Sequence, residues 1–169
     1  MKKILFSLFV LASGLSFGQT FSVATNEATV KFNYISEKTT GSINRVEANL
    51  NIDLTNMSSA TVSGKAYLKS FTTGNKMRDK HLRSDDFFDA ENFPVMTFES
   101  SDVVMDGDNM YANGRLTIRG VTKDVAFQVT EGQGNMKFMT TIYGDDFGVA
   151  IKKGREKSKI TVTVSVPVQ

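Results

Sequence analysis

Val46-Glu47-Ala48-Asn49-Leu50-Asn51-Ile52-Asp53-Leu54 alternates apolar and polar residues without a break. Successive side chains of a β-strand point to opposite faces, so this stretch reads as a strand with one apolar face and one wet face. The same pattern recurs on both sides of it. Ala60, Val62, Gly64, Ala66 and Leu68 alternate with Thr61, Ser63, Lys65 and Tyr67. Met110, Ala112, Gly114, Leu116 and Ile118 alternate with Tyr111, Asn113, Arg115 and Thr117. Val125, Phe127 and Val129 follow, then Met136, Phe138, Thr140 and Ile142, and then Ile160, Val162, Val164, Val166 and Val168. Val30, Phe32 and Tyr34 make a shorter strand, and Val95 to Phe98 another. Eight or nine strands with one wet face each predict an all-β antiparallel sheet.

Turn chemistry agrees. Asn56-Met57-Ser58-Ser59, Asp106-Gly107-Asp108-Asn109, Arg119-Gly120 and Gly132-Gln133-Gly134-Asn135 lie between the strands. Gly, Asn and Asp tolerate the positive φ that tight hairpins demand. A sheet of this many strands closes on itself, which predicts a barrel.

The chain has 169 residues, enough for one domain with a substantial core. It has no Cys and a single His. These counts exclude a disulfide framework, a thiolate metal site, a cysteine nucleophile and a His-rich metal centre. Residues 1–18 read as a signal peptide: a basic start at Lys2 and Lys3, an apolar run from Ile4 to Ala12, and small Ser16 and Gly18 before Gln19. The apolar run is shorter than the ~20 residues of a membrane span. The expected mature domain is then residues 19–169, periplasmic or secreted. Removing Lys2 and Lys3 from 20 basic residues leaves 18, against 18 acidic ones. A balanced charge argues against nucleic acid as a partner.

Residues 70–94, SFTTGNKMRDKHLRSDDFFDAENFP, break the alternation. Asn75 can cap a short helix with Met77, His81 and Leu82 on one side, and Ser84 can cap a second turn. Phe87, Phe88 and Phe93 then crowd before Pro94. A connection this long is usually functional, and it suits a lid over an open barrel end. Asp85, Asp86, Asp89 and Glu91 lack the alternating oxygens of a calcium loop and read as caps and solvated charge, so no metal is expected.

Small residues recur at apolar positions: Ala48, Gly64, Ala66, Ala112 and Gly114. They leave room for a ligand, or they offset large neighbours in a filled interior. On the first reading, Gly114→Phe blocks the cavity and leaves the fold intact.

Thr73 to Ser100 resembles the signature stretch of the YceI-like family. Gly114-Arg115-Leu116-Thr117-Ile118-Arg119-Gly120-Val121-Thr122-Lys123 and Asp146-Phe147-Gly148 extend the resemblance across most of the chain. It implies an extended, lipocalin-like eight-stranded β-barrel with a short helical lid segment, exported and binding a long isoprenoid lipid. Members commonly carry a His on the opening strand. Here Val30-Lys31-Phe32-Asn33-Tyr34-Ile35 has none, and Tyr34 offers a hydroxyl instead. Expected ligand contacts are Phe32, Tyr34, Ala48, Leu50, Gly64, Ala66, Phe71, Met96, Phe98, Ala112, Gly114 and Phe147 along the barrel. In the lid segment they are Met77, Arg78, His81, Leu82, Phe87 and Phe88. For Arg78 and His81 the alternative role is a structural contact that fixes the loop.

No nucleophile elbow accompanies His81, so an enzyme is the least favoured reading, and no cofactor is expected beyond a bound isoprenoid. The rival to lipid carriage is a ligand-free envelope stress or interaction protein with a filled barrel. Pairing of strand edges into a homodimer stays open, since no residue decides it.

Overall fold

A computed structural model describes residues 20–152 and 154–168. The expected signal segment lies outside the described residues. Nine strands follow one another: β1 (Thr20–Tyr34), β2 (Thr39–Asp53), β3 (Thr61–Tyr67), the two-residue β4 (Phe71–Thr72), β5 (Val95–Asp106), β6 (Asn109–Ile118), β7 (Val121–Gly132), β8 (Asn135–Tyr143) and β9 (Lys159–Pro167). One α-helix, α1 (Lys76–Leu82), sits between β4 and β5.

Eight strands run β1-β9-β8-β7-β6-β5-β3-β2, and β2 pairs back onto β1. Every pairing is antiparallel, and β4 only flanks β2 at Ser42 and Ile43. The barrel read from the alternation, with the eight strands that the resemblance implies, is therefore the fold. β1 is longer than its sequence suggests. Its first half pairs from Thr20↔Asp53 to Thr25↔Ala48, and the register then shifts around Asn26 and Glu27. That irregularity interrupts the period-two signal and hides the first half of the strand.

The β7–β8 ladder is short. It runs from Gln128↔Met139 to Gly132↔Asn135, although β7 begins at Val121 and β8 reaches Tyr143. The barrel wall is thus unladdered between Val121–Phe127 and Thr140–Tyr143. A groove of about 530 Å³ lies there, with Arg155 among its lining residues. Arg155 bonds Asp146 at 3.1 Å and lies over the Tyr143 ring at 3.7 Å.

The interior divides into two regions. One is packed by Ala28, Leu50, Ile52, Val62, Val103, Ala112, Val129, Met136, Val166 and Val168, all buried. The other gathers Tyr34, Ile118, Ile142, Phe147, Val149 and Ile160 near the β1–β2 turn, the β6–β7 turn and the β8–β9 connection. Residues 73–94 close this second end. Their hydrogen bonds are largely internal: Phe88 N–H to the Leu82 carbonyl, Asp89 N–H to Ser84 and Ala90 N–H to Arg83. Arg119 ties the end together by donating to the carbonyls of Gly148 at 3.0 Å and Asp85 at 2.6 Å.

Candidate functional site

The second end is hollow. A cavity of about 150 Å³ runs between β1, β2, β3, β5, β6, β8 and β9, under Leu82 and Phe88 of the closing segment. Such a volume is about that of a hollow that accepts benzene. Its walls are the inward positions of the strands: Val30, Phe32 and Tyr34 of β1, Leu116 and Ile118 of β6, and Ile160, Val162 and Val164 of β9. Phe98 and Phe127, edge to face at 4.9 Å, separate it from the filled region. Ile151 lines the cavity while 38 % exposed, so it marks the rim.

Phe32 stacks on Phe71 with centroids 5.1 Å apart, and Phe71 meets Phe88 at 5.4 Å. Gly41 makes this row fit. A Cβ there would land on the Phe32 ring and on the Thr72 carbonyl.

Tyr34 is 5 % exposed, and its hydroxyl is buried without a hydrogen-bond partner. An unpaired buried hydroxyl costs about 1–3 kcal/mol. Lys152 is within electrostatic reach of it, and that ammonium is held above its usual range by the hydrogen bond and charge of Glu37. Lys152 Nζ lies 2.5 Å from Glu37 Oε1, so that cation is already neutralised. Between Lys152 and Lys157 the described residues are exposed, and the following serine anchors the loop. Ser158 is fully buried; its hydroxyl accepts from Asp145 N–H and donates to the Arg155 carbonyl.

The expected contacts separate into two sets. Phe32, Tyr34, Gly64, Ala66, Phe71, Leu82, Phe88, Met96 and Phe98 line the cavity. Ala48, Leu50 and Ala112 are buried in the filled region instead. Gly114 also lies away from the cavity. A Cβ on it would fall on the Glu99 carbonyl, 2.7 Å from Ser100 Cα and 2.8 Å from the Phe98 ring. Its smallness accommodates a close backbone approach beside the β-bulge at Ser101, and leaves no void. Gly114→Phe therefore strikes backbone and does not plug a hollow. Gly64 is the opposite case: its Cβ would meet only the Glu47 carbonyl, at 3.5 Å. Phe147 is buried behind the cavity wall.

Helix α1 shows a different face from the expected one. Its buried residues are Asp79 and Leu82, three apart, whereas Met77 is 84 % exposed. Asn75 caps it as read, accepting from Met77 and Arg78 N–H. A turn does follow Ser84, whose carbonyl accepts from Phe87 N–H, but its hydroxyl donates back to the His81 carbonyl and does not cap that turn. Asp79 accepts from the Thr73 hydroxyl and N–H and the Thr72 hydroxyl. Burial pushes the Asp79 carboxyl up, but these bonds and the Arg83 charge outweigh it and hold the pKa below the usual range. Arg78 donates to the Thr73 hydroxyl and carbonyl, the loop-fixing role. His81 is exposed, 3.6 Å from Asp86 and edge-on to Phe87. Phe93 leaves the aromatic group and covers Gly120.

Reasoning from sequence missed Phe127 and most of the aliphatic wall: Val30, Ile43, Val46, Leu116, Ile118, Ile142, Val149, Ile160, Val162 and Val164. The signal was present in the alternation, since most of these are inward positions of recognised strands. Small residues alone do not mark the void; these larger inward side chains enclose it.

A family model for the YceI-like domain matches residues 21–169. The chain belongs to the YceI-like family. A UPF0312 protein of Pseudomonas paraeruginosa is 32 % identical over 136 residues, 75 % of this chain and 71 % of that protein. Among solved structures, Burkholderia cenocepacia BcnA superposes with a TM-score of 0.69 at 21 % identity, over 82 % of this chain and 94 % of that one. A polyisoprenoid binding domain from Saccharophagus degradans superposes with a TM-score of 0.55 at 13 % identity, over 90 % and 99 %. At such identities these two structures speak for the shared barrel. In this YceI-like domain the closing segment and the apolar cavity belong to one end of that barrel, and no described helix is long and apolar enough to cross a membrane.

Proposed function

We propose that this YceI-like domain is an exported, non-enzymatic carrier that sequesters or transports an isoprenoid lipid, polyprenyl or quinone-like, in the barrel interior. The observation that carries this reading is the apolar hollow under Leu82 and Phe88, walled by aliphatic and aromatic side chains. The polyisoprenoid-binding neighbour of the same fold supports the ligand class. Burial of such a chain gains about 0.8 kcal/mol per CH₂, so binding needs no charged contact. A hollow of about 150 Å³ holds a short part of a long chain. The remainder leaves past the rim at Ile151, or it displaces the Phe32–Phe71–Phe88 row.

The test is native mass spectrometry of the protein purified from its own envelope, followed by solvent extraction. A discrete, extractable apolar adduct is the expected result. A bare mass that also takes up no added isoprenoid overturns the reading in favour of a filled interaction barrel. Export is tested on the same sample: the N-terminal sequence is expected to begin at Gln19, and an intact Met1 refutes it.

A further inference from the structure

We infer that Tyr34 is the specificity determinant of the cavity: its hydroxyl selects an apolar ligand carrying an uncharged oxygen, over the hydrocarbon and the phosphorylated form of the same chain. This rests on the carrier reading above. The hydroxyl is buried, on a side chain that lines the cavity, and it has no partner. The buried apolar side chains grouped with it are Ile118, Ile142, Val149 and Ile160, and none of the threonines that also line the cavity bonds it.

A lone water is a poor occupant there. A buried water needs two to four polar partners, and a predominantly apolar wall around one unpaired hydroxyl is a poor source of them. An oxygen attached to an apolar molecule is held differently. The walls retain the hydrocarbon, and the oxygen needs only the one hydrogen bond that Tyr34 donates. A hydrocarbon end leaves the hydroxyl unpaired. A phosphate end carries charge into a site whose only basic lining residue, among the described ones, is Lys65. Lys152 is occupied by Glu37. Lys65, although it contributes to the lining, is exposed and alternates outward between Gly64 and Ala66. Burying an unpaired charge is far costlier than burying a neutral oxygen. A ketone, a quinone and an alcohol share the required chemistry.

The experiment compares geranylgeraniol, geranylgeranyl diphosphate and a hydrocarbon of the same chain length. Each competes with an apolar fluorescent probe on wild type and on Tyr34→Phe. Wild type is expected to favour the alcohol over both others. In Tyr34→Phe the alcohol-to-hydrocarbon affinity ratio is expected to fall roughly tenfold. A second readout needs no variant: the Tyr34 Cζ resonance is expected to shift with the alcohol and not with the hydrocarbon. An unchanged ratio in a folded variant, a wild-type preference for the diphosphate, or an unmoved resonance with bound alcohol overturns the inference. Those outcomes leave the carrier reading standing. Failure of all three probes to bind wild type refutes the carrier reading itself, and the inference with it.

Discussion

Two halves of one barrel use small residues in opposite ways. At the filled end Ala28 and Ala112 are fully buried among Phe127, Met136 and Phe138, and Gly114 lies against the Phe98 ring and the β5 backbone. There a missing side chain is the room a neighbour occupies. At the hollow end Gly64 and Ala66 border open volume, together with Val30 and the ladder neighbours of Ala66, Val46 and Met96. The strand pattern is the same in both halves. Void and packing differ only in what stands across the barrel, so a small inward residue is no evidence of a cavity until its opposite wall is known.

The sharpest way to break this comparison is to enlarge a glycine at the filled end. Gly114→Leu puts a side chain where the Glu99 carbonyl and Ser100 Cα already lie. Backbone cannot rotate away as a side chain can, so we expect a loss of about 3 kcal/mol or more. Chemical denaturation measures it. A variant within error of wild type would show that the close approach there is soft.

Next in size is the anchoring of the closing segment. Asp79 is buried, charged and fully committed to Thr72 and Thr73. Asp79→Asn removes the charge-assisted bonds and is expected to cost about 2 kcal/mol at neutral pH. The sign of the pH dependence follows from the lowered native pKa. The stabilisation is fully present above the unfolded carboxyl pKa, about 3.9, and is lost as pH falls through the still lower folded value. The gap between wild type and variant therefore narrows in acid. A gap independent of pH down to full protonation would refute the charged assignment.

Smaller again is the tie made by Arg119. Its guanidinium joins the closing segment at Asp85 to the β8–β9 connection at Gly148. It is partly exposed, so Arg119→Met is expected to cost about 1 kcal/mol globally. The larger consequence is local. Amide exchange in residues 73–94 should accelerate while β5 and β6 at the filled end keep their protection. Uniform acceleration would mean the two ends unfold as one.

The barrel was legible because alternation reports which face of a strand is wet; β5 was read only to Phe98, since the bulge after Ser100 breaks its period. β1 was half read, because the register shift near Asn26 and Glu27 breaks the period just where the strand continues. The Asn75 cap was legible because it depends on neighbours in sequence. The buried face of α1 was not. Asp79 is inward because Thr72 and Thr73 fold back to meet it, a tertiary arrangement that overrides hydrophobicity. Tyr34 reads as inward from its strand, but its lack of a partner depends on four other strands and loops. The position of the void along the barrel axis is equally non-local, which is why Ala48, Ala112 and Gly114 were grouped with Gly64 and Ala66.

Gly64→Leu is the mirror of the first substitution and the least disturbing to stability. The Cβ meets the Glu47 carbonyl at ordinary contact, and the rest of the side chain extends into open volume beside Phe98 and Met96. A glycine within a strand packs nothing and is entropically costly, so replacement partly offsets any crowding. The net change is expected to stay within about 1 kcal/mol. Uptake of an apolar probe should nevertheless disappear, because the hollow is only about 150 Å³ and a Leu side chain fills much of it. Gly64→Ala should retain uptake with reduced affinity. Stability and binding thus respond in opposite order at the two glycines. If Gly64→Leu still takes up the probe as wild type does, the binding volume lies elsewhere in the barrel and the hollow end loses its claim.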